Sequence, residues 1–310
     1  SRTMRAGIVL GGRTRLRANI AKEKVMIELK DVVYCRLGTR DLAGSEWFAV
    51  NILGLEVSER RKGAVYFKSN ERAHTLCYFE GNPDDQVTAF EIGSSDDLQR
   101  AAATLEGLGT RVHYGSAQEC DARHVREFIR FSDPTGNGIE FVVRPAVSAL
   151  RYHGARDAGI TGFSHVGLCT TDAERDEAFW TQVCNARVSD RIGDAPLMRL
   201  GTIHHSIALF PFHKSGIQHI NHQVESSDDI QRSFAHVRDN QVNITFGPGR
   251  HPTSSAQFLY FTGPEGMTFE YSTGVCEIHD EPLWRDRQFH FEAKGFCHWG
   301  ATPQISAFKD

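Results

Sequence analysis

The sequence predicts an α+β protein built from four βαβββ modules. These form two pseudo-repeated domains, each a curved mixed sheet around a pocket with its helices outside. Three observations lead there. Segments of the first half recur in the second at a nearly constant offset. Each half strings short strand-like runs around single helical stretches. Within the strands, polar and apolar side chains alternate, so each sheet has one greasy face and one that gathers polar groups.

The repeat rests on three anchors. Residues 31–41 (DVVYCRLGTRD) lie over 162–172 (GFSHVGLCTTD) at an offset of 131. Residues 94–100 (SSDDLQR) lie over 226–232 (SSDDIQR) at 132, and 131–140 (FSDPTGNGIE) over 261–270 (FTGPEGMTFE) at 130. Agreement to within one residue points to duplication. Each half divides again, giving modules near 27–80, 81–145, 159–213 and 217–275. Helical stretches are expected at 96–108 and 228–237, with an acidic residue capping the first turn. Strands such as AVYFKS, SIALFPF and FLYFTGP are punctuated by Gly and Pro. The expected domains are 26–145, a linker at 146–158, a second domain at 159–276 and an irregular tail, 277–310, packed on the body. Residues 1–25 carry seven Arg or Lys against the single acid Glu23, and read as an appended or disordered extension.

Composition narrows the function. A net charge of −4 and a pI near 6.4 give no electrostatic footprint for nucleic acid. No apolar run approaches the roughly 18 residues of a membrane span. Seven cysteines without a CxxC pair argue against a disulfide framework and fit a reducing, cytoplasmic setting. Fifteen histidines in 310 residues, several inside strand-like runs, point toward metal.

Strand parity then sorts the candidates. His165 opposes Val166 and Leu168, Tyr260 opposes Leu259 and Phe261, and Glu270 opposes Phe269 and Tyr271. The same alternation sets His204 and His222 on faces opposite His205 and His219, which reads them as structural. His213, His236, His279, His290 and His298 read as surface or tail residues.

The stretch Gly249-Arg250-His251, seven residues, then LYFTGPEGMTFE at 259–270 resembles the signature of type I extradiol ring-cleaving dioxygenases, built from βαβββ modules in the vicinal-oxygen-chelate superfamily. The likeness extends to His165 in GFSHVGL, His205 in HHSIAL and His219 in GIQHINHQV, and so covers 27–275. Gly263 departs from the pattern, which prefers an acidic, amide or small polar residue at this turn.

The resemblance implies that His165, His219 and Glu270 hold one iron(II), or manganese(II), as a facial triad. The open positions would admit a catechol and O2. It implies further that His205 serves the oxygen site as a proton carrier, and that His251 and Tyr260 hydrogen-bond substrate oxygens. Meta cleavage of a catechol in a homo-oligomeric enzyme would follow. The rivals are another metal enzyme of the superfamily, such as a lyase or isomerase, which would lack the set His205, His251 and Tyr260, and a metal-free binding module, which would lack the triad. An internal comparison is available: the repeat sets Tyr34, Val87 and Glu140 at the positions of His165, His219 and Glu270. The first half therefore should carry no metal, and one site per chain is expected.

Overall fold

Each half folds as two successive βαβββ units, and the computed structural model describes residues 26–308. The extension 1–25 lies outside the described residues. The first unit runs β1 (Leu29–Thr39), α1 (Leu42–Asn51), β2 (Glu56–Arg61), β3 (Ala64–Lys68) and β4 (Leu76–Glu80). The second runs β5 (Gln86–Ile92), α2 (Ser95–Gly107), β6 (His113–Tyr114), a short α3 (Ala117–Asp121), β7 (Glu127–Ser132) and β8 (Gly138–Val143). The third comprises β9 (Ile160–Thr170), α4 (Ala173–Ala178), β10 (Arg187–Ile192), β11 (Ala195–Arg199) and β12 (Ile207–Pro211). The fourth comprises β13 (Ile217–Val224), α5 (Ser227–Asp239), β14 (Ile244–Arg250), β15 (Gln257–Thr262) and β16 (Thr268–Thr273).

The two sheets share one plan. In the first the order is β2-β3-β4-β1-β5-β8-β7-β6; in the second it is β14-β15-β16-β13-β9-β12-β11-β10 with one further strand. Each sheet is centred on an antiparallel pair, β1 with β5 or β9 with β13, flanked by parallel partners. The extra strand corrects the expectation of an irregular tail. Residues 287–289 form β17, parallel to β10, and α6 (Ala293–Phe296) follows.

The helix starts differ from expectation in one chemical detail. Ser94 and Ser226, not the aspartates after them, cap α2 and α5 by accepting from the amides of Asp97 and Asp229. Asp229 answers from the third helical position to the Ser226 amide, closing a capping box. Asp41 and Asp172 do cap α1 and α4.

One apolar core runs through both halves. The greasy sheet faces contribute Val32, Leu76, Val166, Ile207, Leu259, Phe269 and Tyr271 to the same cluster. Phe48 of α1 packs on Phe261 and Phe269 of the second sheet, with ring centres 6.4 and 5.9 Å apart. The Tyr271 hydroxyl donates to the Leu53 carbonyl at 2.8 Å. A second cluster lies on the other face of the second sheet, where Ala208, Phe210, Phe246, Phe258 and Tyr260 meet Phe296, Ile305 and Phe308 of the tail. The tail therefore roofs that concave face. All seven cysteines are free. Among the described residues no helix is long and apolar enough to cross a membrane.

Candidate metal centre

The central strand pair of the second sheet sets the geometry. In the β9–β13 register His165 lies opposite Asn221, and His219 opposite Gly167. β16 runs parallel to β13 and sets Glu270 beside Asn221. Three side chains from three adjacent strands thus reach one point on the concave face. His165 Nε2 is 3.1 Å from His219 Nε2 and 3.0 Å from Glu270 Oε2, and His219 Nε2 is 3.4 Å from that oxygen. All three residues are buried. Among the described residues they are the one group of three or more His, Cys, Asp or Glu side chains whose donor atoms gather this way.

The spacing suits a metal. Donors about 2.0–2.2 Å from a first-row ion and at right angles to one another are about 3 Å apart, the edge of an octahedral face. Glu270 Oε2 is buried and makes no hydrogen bond of good geometry, so a carboxylate lone pair is left for another partner. His219 donates from Nδ1 to Gln218 Oε1, which leaves Nε2 bare and aimed at the triad. Gly167 permits that ring position: a Cβ there would lie 2.4 Å from His219 Nδ1. Electrostatics agree. Burial alone would raise the Glu270 carboxyl, but His165, with His251 and His219, outweighs it and holds the group well below the usual carboxylate range. Burial pushes His219 down to about 3, so the ring is neutral near pH 7.

The other three candidates surround this point. His205 lies against His165, ring centres 4.2 Å apart, and burial with the neighbouring histidines keeps it well below its ordinary pKa. His251 donates from Nδ1 to the Phe296 carbonyl at 2.8 Å, so its Nε2 accepts from the Tyr260 hydroxyl at 3.2 Å. His251 Nε2 is also 3.5 Å from Glu270 Oε1. Burial and the Glu270 charge hold the Tyr260 phenol well above its usual range, so it stays a donor.

Sequence reasoning missed several supports. Gln218 and the Phe296 carbonyl leave no motif, because an amide or a backbone oxygen can orient a histidine from many positions. His204 does not sit apart from His205, as strand parity had it. The segment 203–206 precedes β12 and is not strand, so alternation does not apply there. His204 instead bonds both His205 and Asp190.

His222 does turn away, packing near Phe163 with neither ring nitrogen bonded. Burial pushes it down to about 3, far under the roughly 6.5 of an unfolded histidine. The unfolded chain therefore takes up this proton first as pH falls. Stability from the neutral ring is complete above pH 6.5 and is lost progressively between 6.5 and 3. His222→Leu is expected to lose about 2 kcal/mol less stability than wild type between pH 7 and 5, at about 1.4 kcal/mol per pH unit. Urea midpoints at the two pH values measure this, and equal losses in both proteins would refute it.

The first half shows what replaces the triad. Tyr34 donates to Glu140 Oε2 at 2.7 Å, Arg123 Nε to Glu140 Oε1 at 2.9 Å, and Val87 offers no donor. The buried carboxylate is neutralised by the protein's own guanidinium. His74 holds the repeat position of His205 and stacks on Tyr34 at 4.6 Å.

A duplicated βαβββ fold with one buried His-His-Glu centre defines the class. The family model described as "Glyoxalase/Bleomycin resistance protein/Dioxygenase superfamily" matches residues 31–141 and 162–271, and the chain belongs to this superfamily. Among its relatives is an iron-dependent extradiol dioxygenase of Rhodococcus jostii (strain RHA1), 26% identical, covering 88% of this chain and 97% of the relative. Another is a manganese-dependent 2,3-dihydroxybiphenyl 1,2-dioxygenase of Geobacillus genomosp. 3, 25% identical, covering 84% and 91%. Homoprotocatechuate 2,3-dioxygenase from Brevibacterium fuscum, solved with 3,4-dihydroxyphenylacetate, superposes with a TM-score of 0.82 at 23% identity, covering 92% of this chain and 93% of that one. At that identity the likeness speaks for the fold.

Proposed function

We propose that the chain is an iron(II)-dependent dioxygenase that inserts both atoms of O2 into a catechol-type substrate with meta ring cleavage. It is an enzyme of the extradiol ring-cleaving type. The observation that carries the finer reading is the octahedral-face spacing of two imidazoles and one carboxylate, with three further hydrogen-bonding side chains around it. His165, His219 and Glu270 are the proposed ligands, in a catalytic domain spanning 159–276; the domain at 26–145 has a shaping role. Iron(II) is the proposed metal and manganese(II) the alternative, since the donor set suits both. A metal held by His165, His219 and Glu270 would supply Lewis-acid and redox chemistry at which a catechol and O2 could be brought together.

The chain's own groups then divide the remaining work. His205, neutral and buried, takes a proton from the substrate hydroxyl and returns one where charge builds on oxygen. Tyr260 and His251 orient the substrate oxygens, with His251 held by the Phe296 carbonyl. Phe210, Phe246, Phe258 and Phe308 wall the concave face and exclude water. A homo-oligomer in the cytoplasm completes the reading.

The test is anaerobic. Catechols with and without a carboxylate are added to iron-reconstituted protein, air is admitted, and a yellow ring-fission product is sought with its mass. The expected result is a product heavier than its substrate by two oxygen atoms. Substrate bound but unchanged after air would sink the dioxygenase reading.

A further inference from the structure

From a buried hydrogen-bonded chain behind the site, we propose that Asp190 and His204 are positioning residues that fix the orientation and tautomer of His205, so that its Nε2 presents a lone pair to the substrate. The proposal rests on the role given above to His205.

Asp190, on β10, and His204, just before β12, are both fully buried. Asp190 Oδ2 accepts from His204 Nε2 at 2.8 Å. On its other side the carboxylate is saturated by Arg287 of β17. The Arg287 amide and Nε donate to Oδ1 at 2.8 and 3.1 Å, and Nη2 donates to Oδ2 at 2.6 Å. At the far end of the chain, His204 Nδ1 lies 3.0 Å from His205 Nδ1. Trp284 holds the His204 side, its ring 6.1 Å away and its Nε1 donating to the Ser189 carbonyl.

Proton counting gives the direction. A carboxylate accepts only, so the proton between Asp190 and His204 sits on His204 Nε2. Two ring nitrogens 3.0 Å apart share one proton. Setting it on His204 would make that ring a buried cation, although Arg287 has already neutralised Asp190. The proton therefore belongs to His205 Nδ1, and His205 Nε2 is the bare nitrogen. Hydrogen bonding at one ring nitrogen sets the function of the other.

The first half supplies an internal comparison. Glu59 takes the repeat position of Asp190, but it bonds Arg61 and His124 instead. Position 73 is Ala where the second half has His204, and the Nε2 of His74, the counterpart of His205, has no partner. The chain is present only in the half that carries the triad.

The first experiment reads tautomers without catalysis. Ring nitrogen shifts are recorded on [15N]histidine-labelled, metal-free protein, with His204 and His205 assigned through their substitutions. His205 should appear with the proton on Nδ1, and His204 with it on Nε2. Asp190→Asn offers an amide donor to His204 Nε2, which reverses both tautomers. In the iron-loaded protein it should lower kcat by about 10²-fold or more while KM for catechol and metal content stay within a few-fold. Should Asp190→Asn fold poorly because Arg287 loses its partner, His204→Phe keeps that pair and still removes the acceptor from His205. It should give His205 a mixture of tautomers and a kcat loss of a few-fold, smaller than that of Asp190→Asn because part of the population keeps Nε2 bare. A wild-type His205 protonated on Nε2 would overturn the proposal, as would either variant turning over at the wild-type rate. Failure of wild type to cleave any catechol, with the tautomers as stated, would instead count against the proposed function alone.

Discussion

Glu270→Ala is expected to strip the protein of metal and of ring cleavage together. Two neutral imidazoles would remain, without the one negative charge at the site and without the third corner of the octahedral face. Removing even an outer partner of a ligand typically costs about 10- to 100-fold in affinity, and loss of a direct ligand should exceed that. Metal content after dialysis and oxygen uptake on the same preparation check it. His219→Ala should behave alike, because its Nε2 is the bare nitrogen facing the carboxylate. His222→Ala, three residues on, should keep full metal. If His219→Ala held stoichiometric iron and His222→Ala lost it, the faces of β13 would have been assigned backwards.

His205→Phe should separate catalysis from metal binding. The ring touches His165 but contributes no atom to the triad, so iron and catechol binding should stay near wild type. Turnover should fall by about 10²- to 10⁴-fold, the usual contribution of a positioned proton carrier. His251→Phe and Tyr260→Phe should differ by raising KM as well as slowing turnover, since these groups face the substrate oxygens in the proposed reaction. A buried histidine of purely structural value would show the opposite pattern for His205→Phe: a lower melting temperature with activity per folded molecule unchanged. Iron content, melting temperature and oxygen uptake measured together distinguish the two, and normal turnover in a folded, iron-loaded variant would remove His205 from the reaction.

Much of this site could be read from sequence because its parts lie on regular strands. His165, Tyr260 and Glu270 sit where alternation holds, and the duplication supplied a copy in which each candidate could be compared with its counterpart. The four modules were legible for the same reason, since one helix and four strands recur with their turn residues. What escaped lies where periodicity stops. His204 sits in an irregular approach to β12, so parity assigned it wrongly. Asp190 reads as an ordinary residue of the polar run RVSDRIG, and only folding brings it to His204. The tail offers no hydrophobic period, yet β17 extends the sheet beside β10 and the Phe296 carbonyl reaches His251, both through backbone groups that every residue possesses. Ser94 and Ser226 show the smaller version of this problem, because each of the sequences SSDD contains four residues able to cap a helix.

The apolar core that crosses from α1 to β15 and β16 ties the fate of the two halves together. A metal that binds only the native state adds its binding free energy to folding, in proportion to the logarithm of its concentration over its dissociation constant. Because Phe48 and Leu53 are anchored on the very strands that carry Tyr260 and Glu270, that free energy is not confined to the half that supplies the ligands. The first domain, which neutralises its own glutamate with arginine, becomes a thermodynamic beneficiary of an ion it cannot bind. Chelation would then act on the molecule as a whole, lowering the stability of both halves and not only of the half that supplies the ligands.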